Sequence, residues 1–575
     1  MQSADVPAGA EAIMMRRVGR GAPAAPAALL LLMTVACGPA GAQRAAADPS
    51  VGKLVIILPG TPFERDEALL EARPRDGATD DRVAGEVFAV RQVGGGGRHL
   101  LVAADGIDLS GWIPSARAIP LKRAVTVLTE RIRRHPAGKE NYLWRARVRT
   151  FLKEYDNALN DVDEAIRRDP GKPSGFVCRG NIRAVMEDHD RAIADFTEAI
   201  RLDPGGAIAY MNRGNARRFA DDLDGALADY DEAIRLDPLS AVARSGRGTV
   251  RMIRGDLVGA TADYDEAIGL DPGYANAYCG RGWVWARRKQ ADRAIADLDE
   301  SIRLDPNVGD AYYYRGIVRK DLGRYDAAIA DLDEAVRLDP EVAGARYGRG
   351  TARYGKGDLD GAIADYTEAI RLDPRYKLAY DARGMARMKK RNYDGSIADY
   401  TEAIRLDPAD AAILERRARV RGYKGDHAAA IVDYDEAIRN RPAFPAAFLG
   451  RGEAKAARKD YDAALADFDR AVRLAPGLAA AHNDRAWLLA TCPVEKVRDA
   501  RRAIDAAETA CKLTGRKEPD FLGTLAAAYA EAGRFDDAAR VQAEAIGLSA
   551  DPASKRPAEA RLALYKSHKP YRDPP

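Results

Sequence analysis

The chain has 575 residues, too many for one compact core, so several domains or a repeat array are expected. Its 46% hydrophobic and 31% charged content suits a soluble folded protein, and a net charge of +3 gives no whole-chain case for nucleic acid or an acidic membrane surface. Six histidines and five cysteines leave little material for metal or thiol chemistry.

The first 42 residues differ from the rest of the chain. Arg16, Arg17 and Arg20 precede the apolar stretch "APAALLLLMTVA", and "AGA" (Ala40 to Ala42) comes after it. A basic start, a short apolar run and a small-x-small end predict a secretory signal peptide over residues 1–42. The mature chain is then exported: periplasmic, in the cell envelope, or secreted. The apolar run is short for a bilayer span. Residues 1–13 are long for such a leader, which leaves Met14 and Met15 as alternative starts. Cys37 raises lipid attachment as a second option, the one route to membrane contact. However, Thr34 stands where a lipoprotein signal usually has Leu. Residues 43–51 read as a linker.

Between residues 52 and 121 the segments "GKLVIILP", "GEVFAVRQV" and "RHLLVAA" predict short strands rich in β-branched residues, with "GGGG" (Gly94 to Gly97) as a hairpin loop. A phosphate-binding loop needs a helix directly after it, and a strand follows here instead. "SGWIPSARAIPL" (Ser110 to Leu121) resembles the closing strands of bacterial SH3-like barrels. The resemblance implies a small all-β SH3-like domain over residues 52–121, with Trp112 packed inside it or exposed to a ligand. Such domains often bind peptides or cell-wall fragments, which is fold-level analogy alone. Residues 122–138 read as a connecting helix, half a repeat long.

Prolines then recur at 136, 170, 204, 238, 272, 306, 340, 374, 408, 442 and 476, every 34 residues. Numbering each unit from three residues after a proline gives ten regular repeats over 139–478. Position 8 is Gly in eight repeats (Gly180 and Gly214 among them), with Ala146 and Ala418 as exceptions, so two helices approach closely there. A small residue faces it (Ala192, Ala226, Ala260) and an aromatic follows four residues later (Phe196, Tyr230, Tyr264). Ile193, Phe196, Ala199 and Ile200 share one helical face, and the proline ends that helix. Gly255, Gly323, Gly357 and Gly425 mark turns between the two helices. These segments resemble tetratricopeptide (TPR) repeats, each a helix–turn–helix. The resemblance implies a mostly α fold: a right-handed TPR α-solenoid of about twelve hairpins with a concave inner wall. Residues 479–550 supply two further hairpins, the first irregular at "VEKVRD", and residues 551–575 a C-terminal cap helix and tail. The register sets Cys178 and Cys279 three repeats apart and Cys492 and Cys511 near opposite ends of two antiparallel helices, so free, packed thiols are expected.

The sequence departs from the family signature at two positions. Position 7 is Arg in all ten regular repeats, from Arg145 to Arg451, where Leu is expected, and position 11 is basic except at Trp285. Position 23 is Asp in all ten, from Asp161 to Asp467. The Arg row reads either as a phosphate or nucleic-acid track or as an internal ion-pair ladder. Ten Arg matched by ten Asp favour the ladder, since the planar guanidinium suits a carboxylate.

No catalytic constellation is present. The histidines are scattered, and there is no Cys-x-x-Cys, phosphate loop or nucleophile elbow. No enzyme activity, cofactor or metal is expected. In TPR proteins positions 2, 5, 9 and 12 of the first helix line the concave wall. Carried over, they are Met211, Asn215 and Arg218 in repeat 3, Trp283 in repeat 5, and Tyr313, Ile317 and Lys320 in repeat 6. Tyr347, Thr351 and Tyr354 follow in repeat 7, and Asp381, Met385 and Met388 in repeat 8. Charges there are nearly balanced, so a protein or peptide partner is expected and nucleic acid is not. The complete Lys/Asn/Arg clamp that some TPR proteins use for a C-terminal carboxylate is not apparent. The expected function is a non-enzymatic protein–protein interaction scaffold. The alternatives are a structural part of an envelope assembly or an accessory module of a cell-wall enzyme complex. Oligomeric state is open at this stage.

Overall fold

The computed structural model describes six strands between Leu54 and Pro120, and the chain from Leu121 to Pro574 apart from Ala137 and Asp551. The strands are β1 (Leu54–Ile57), β2 (Glu64–Arg65), β3 (Val87–Gly94), β4 (His99–Ala104), β5 (Leu109–Pro114) and β6 (Ala118–Pro120). They form one antiparallel sheet in the order β2-β5-β4-β3-β1-β6, with a bulge in β3 between Val90 and Gln92. The helix Leu121–Arg134 follows β6 directly and lies against β1 and β6.

The described residues hold 26 helices. In each regular repeat a first helix of 13–14 residues (Pro173–Val185 in repeat 2) is followed by a second of 14 (His189–Leu202). Three local signals set this shape. Position 15, the turn between the helices, has positive φ in every regular repeat, at Gly255 (+85°) as at Lys289 (+58°). Position 16 is often Asp or Asn and caps the second helix: Asp222 accepts from the Gly225 amide, Asp256 from Gly259, Asn392 from Gly395. An Asp precedes eight of the eleven periodic prolines and turns the chain, as when Asp203 accepts from the Gly205 amide at 3.1 Å and Asp271 from Gly273 at 2.8 Å.

The helices of a hairpin meet through one ring. Phe196, Tyr230, Tyr264 and Tyr400, all at position 24, are fully buried. A Cβ added to Gly180, at position 8 of the same repeat as Phe196, would come to 2.7 Å from that ring. The next repeat closes the other side: a Cβ on Gly280 would lie 2.4 Å from the Tyr264 ring. The ring therefore occupies a slot between two first helices, and glycine is required where its face presses on backbone.

The Arg row is an internal ladder. In nine of the ten regular repeats Nε and Nη2 of the position-7 Arg donate to the position-23 carboxylate of the same repeat at 2.5–3.1 Å. Position 11 adds a third donor to that carboxylate, as Arg251 does to Asp263 at 2.8 Å; in repeat 5 the Trp285 indole N–H takes this place at 3.0 Å, and in repeat 10 Lys455 at 2.8 Å. The remaining Nη1 of the position-7 Arg reaches back to position 25 of the preceding repeat. It meets Asp231 from Arg247 (2.7 Å), Asp333 from Arg349 (2.6 Å), or Thr197 from Arg213 (3.2 Å). An aromatic at position 4 often covers the guanidinium, 5.3–5.8 Å from ring centre to Cζ.

Repeat 11 pairs Ala479–Thr491 with Ala500–Leu513 across a 3-10 turn at Glu495–Val497. Repeat 12 pairs Pro519–Glu531 with Phe535–Leu548, and the helix Pro552–Lys566 follows. Cys178, Cys279, Cys492 and Cys511 are buried and outside any disulfide among the described residues. The chain divides into two compact units, residues 1–357 and 358–575, between the helices of repeat 7. Within each unit, first helices of consecutive repeats approach one another more than second helices do, so each stack curves with its first helices inside.

The ladder predicts two unlike costs. Asp263, 1% exposed at its side chain, bonds Arg247 and Arg251. Asp263→Ala takes the shared buried carboxylate from Arg247 and Arg251, leaving Arg247 only its outward arm on Asp231, and is expected to cost about 3–5 kcal/mol. Asp265 is 54% exposed and touches only the outward arm of Arg281, so Asp265→Ala is expected to cost about 1 kcal/mol or less. Urea denaturation of both variants measures the difference; equal costs would overturn the buried-ladder account.

Candidate functional site

The framework uses positions 7, 8, 11, 20, 23 and 24 for packing and ion pairing, so the first helices are left to present their inner face. In the residue 1–357 unit, Met211 is half-buried against the cluster around Tyr230, and Asn215 accepts from the Tyr230 hydroxyl at 2.7 Å. Arg218 lies over the Phe219 ring at 4.0 Å and bounds an open cavity of about 450 Å³ that also has Glu187, Asp188, Asp190 and Asp221 in its lining. Trp283 stacks on Tyr314, ring centres 4.4 Å apart. Tyr313 is buried (5% exposed) and Ile317 packs against the same cluster. Lys320 pairs with Asp321 at 2.9 Å. Tyr347, Thr351 and Tyr354 are half-buried, and the Thr351 hydroxyl bonds the Tyr347 carbonyl at 2.9 Å.

In the residue 358–575 unit, Asp381 forms an ion pair with Arg416 at 2.6 Å, while Met385 and Met388 are half-buried against the cluster around Tyr400. The predicted positions thus serve two ends. Tyr313 is given over to packing, whereas Ile317, Met385, Met388, Arg218 and Tyr347 are half-buried and keep part of their surface open.

The inner face also carries residues outside the 2, 5, 9, 12 register. Asn212, at position 6, donates to the Asn181 side chain at 3.0 Å, and both are buried. Tyr314 and Arg416 occupy position 6 as well. That position is Gly in repeats 4, 5, 7 and 10, Ala382 in repeat 8, and a larger residue elsewhere, from Cys178 to Trp144, a variation visible in the sequence that the family register passes over.

Electrostatics differ between the two units. In the first, burial pushes the Tyr274 hydroxyl up to about 12. Asp310 is open to water but crowded by protein; that crowding and then Asp339 raise its carboxyl, and Arg218 partly offsets them. In the second, Glu415 is raised by burial against Arg419 and Arg416. Glu453 is pushed up to about 7 by the surrounding protein and then by Asp484, with Glu415 adding and Arg419 opposing. Asp484, itself raised by burial, accepts from the Asn483 amide at 3.1 Å. Among the described residues no group of three or more His, Cys, Asp or Glu is placed to hold a metal, and no helix is long and apolar enough to cross a membrane.

Twelve stacked hairpins with a repeated frame and a varied inner face define a helical-repeat protein of the α-solenoid class. The chain belongs to the tetratricopeptide repeat family, which it matches over residues 179–241, 213–275, 247–309, 313–377, 382–421 and 415–479, just over half its length. No curated protein matches it in sequence. Among solved structures it is similar to the APC/C hetero-tetramer Cut9-Hcn1, at 15% identity and TM-score 0.39, over 77% of this chain and 98% of that one. It is similar to yeast Tom70 at 17% identity and TM-score 0.35, over 75% and 96%. It is also similar to YrrB, described as a TPR protein with an unusual peptide-binding site, at 27% identity and TM-score 0.26, over 33% and 97%.

The raised Glu453 carboxyl makes a pH prediction. Its folded value lies above the ordinary 4.5, so the folded state binds the extra proton. The associated stabilisation is present below about pH 4.5 and is lost as pH rises through about 7. Glu453→Gln should therefore stabilise the protein at pH 8 relative to the parent, and by less at pH 5. Thermal melts at both pH values test this; a pH-independent difference would overturn it.

Proposed function

We propose that this chain is a non-enzymatic scaffold that holds an extended or helical segment of a partner protein against its first-helix wall. TPR proteins generally mediate protein–protein interaction, and no catalytic family is indicated. The observation that carries the reading is the contrast between frame and wall. Position 7 is Arg and position 23 Asp in all ten regular repeats, while position 9 runs through Asn215, Thr249, Trp283, Ile317, Met385 and Glu453. A fixed frame with one varied face is what recognition of an irregular partner requires, and aromatic and Met side chains are adaptable contact formers. The six-stranded segment ahead of the array is assigned in this reading to an SH3-like domain, on the resemblance of Ser110 to Leu121.

Selection of peptides from a random library on the immobilised full chain tests the reading. Two double variants address the units separately: Arg218→Ala with Tyr347→Ala, and Arg419→Ala with Glu453→Ala. At least one, still helical by circular dichroism, should bind the selected peptides about tenfold or more weaker. Unchanged binding by both would direct attention to the outer surface or the β segment.

Export completes the proposal, resting on the basic–apolar–small order before Gln43. N-terminal sequencing of the natural protein is expected to find cleavage near Gln43. A leader retained on a cytoplasmic protein would refute this, and a lipid on Cys37 would make the chain membrane-anchored.

A further inference from the structure

In its last two repeats the first-helix wall is already occupied, and by the chain itself. The helix Pro552–Lys566 covers the end of the array and buries Tyr565 completely. The residues beyond it do not continue that cover. They run back over the first helices of repeats 12 and 11. Tyr571 packs against Trp487, ring centres 5.8 Å apart, and Arg561 lies over both rings at 5.5 and 5.9 Å. Trp487 stands at position 9 of repeat 11, a wall position. Arg572 pairs with Glu531, at the end of the repeat 12 first helix, and donates to the Ala490 carbonyl at 3.3 Å. The Asp573 amide donates to the Thr491 carbonyl at 3.0 Å, and the Thr491 hydroxyl donates to the Asp573 carboxylate at 2.7 Å. Glu531 is prepared for a cation: Arg498 holds it from the other side at 3.0 Å, and both are largely buried.

Three consecutive residues thus meet three complementary sites: a ring on a ring, a cation on a buried carboxylate, and an acid on a hydroxyl with adjoining backbone. The backbone takes part, as it does when an extended peptide lies across the ends of helices. We propose that Tyr571–Arg572–Asp573 is a tethered ligand, and that the wall of repeats 11 and 12 is a recognition site for an extended segment of aromatic–basic–acidic order. A partner of that chemistry enters by displacing the tail. The proposal rests on the reading of the first-helix wall as a binding face and names the chemistry of one part of it.

The test compares the full chain with a chain ending at Lys569. The probe is a fluorescein-labelled peptide of residues 567–575, followed by anisotropy. A short tether presents the tail at an effective concentration on the order of 1 mM, so a tail docked about nine-tenths of the time implies a free-peptide Kd of about 0.1 mM or below. The shortened chain should bind the probe saturably, and the full chain should bind it about tenfold or more weaker because its own tail competes. A probe carrying Tyr571→Ala and Arg572→Ala should lose binding to the shortened chain. The full-length Tyr571→Ala, Arg572→Ala variant retains the chain length and should bind the normal probe like the shortened chain. Absence of saturable binding to both opened forms overturns the proposal, as does equal binding by the unaltered full chain. Unfolding of both opened forms, seen by circular dichroism, overturns it too, since the tail is then a structural cap. Library-selected peptides that depend on Arg218 and Tyr347 are scored separately, so failure here leaves the broader scaffold reading standing, and the converse holds.

Discussion

One buried carboxylate per repeat governs the rest of the array. Placing an Asp at position 23, between two packed helices, puts an anion where water does not reach it, and that is tolerated only with a full set of donors. The position-7 Arg supplies two, in the planar geometry that a carboxylate accepts, and position 11 supplies a third. The Arg fork has one arm left over, and that arm points at the previous repeat. Joining a hairpin to itself and joining it to its neighbour are therefore done by the same side chain. A repeat cannot lose the first without loosening the second.

The rings add directional packing to this electrostatic frame. Each position-24 ring needs glycine or another small residue beside it in its own repeat. Where position 6 of the next repeat is also Gly, the ring lies against bare helix backbone on that side too. Where Leu replaces the ring, as at Leu298, the next repeat can carry Tyr314 at position 6. The rule is not general, since Tyr400 is followed by Arg416 and Leu332 by Gly348 at position 6, so the inner face varies largely independently of the buried residue behind it.

Much of the frame could be read from the chain alone. The proline period gives the hairpins, the position-8 glycines give the close approach, and the matched Arg and Asp rows give the ladder. The backward stitch to position 25 was not legible, because Asp and Thr alternate there and an exposed acid on a helix is ordinary. The inner face was only partly legible. Positions 2, 5, 9 and 12 name a candidate face of the first helix. Whether Tyr313 is buried or Arg218 open, however, depends on how close consecutive first helices come, and that distance is set by bulk at other positions. The wall of repeat 11 was missed for a simpler reason: its ligand is the end of the chain, and no period points to it.

The alternation at position 25 has a mechanical meaning. Most joints are stitched by a charged pair, such as Arg247 to Asp231 or Arg315 to Asp299. Four are stitched by a neutral hydroxyl, at Thr129 in the helix ahead of repeat 1, Thr197, Thr367 and Thr401. A charge-assisted bond holds more strongly than a neutral one. Each unit thus has joints of unequal stiffness: in residues 1–357 the softer ones lie ahead of repeat 1 and between repeats 2 and 3, and in residues 358–575 they are the two adjacent ones at Thr367 and Thr401. Under load each unit is expected to yield first at its hydroxyl joints, and last where charged pairs such as Arg247 to Asp231 close the joint.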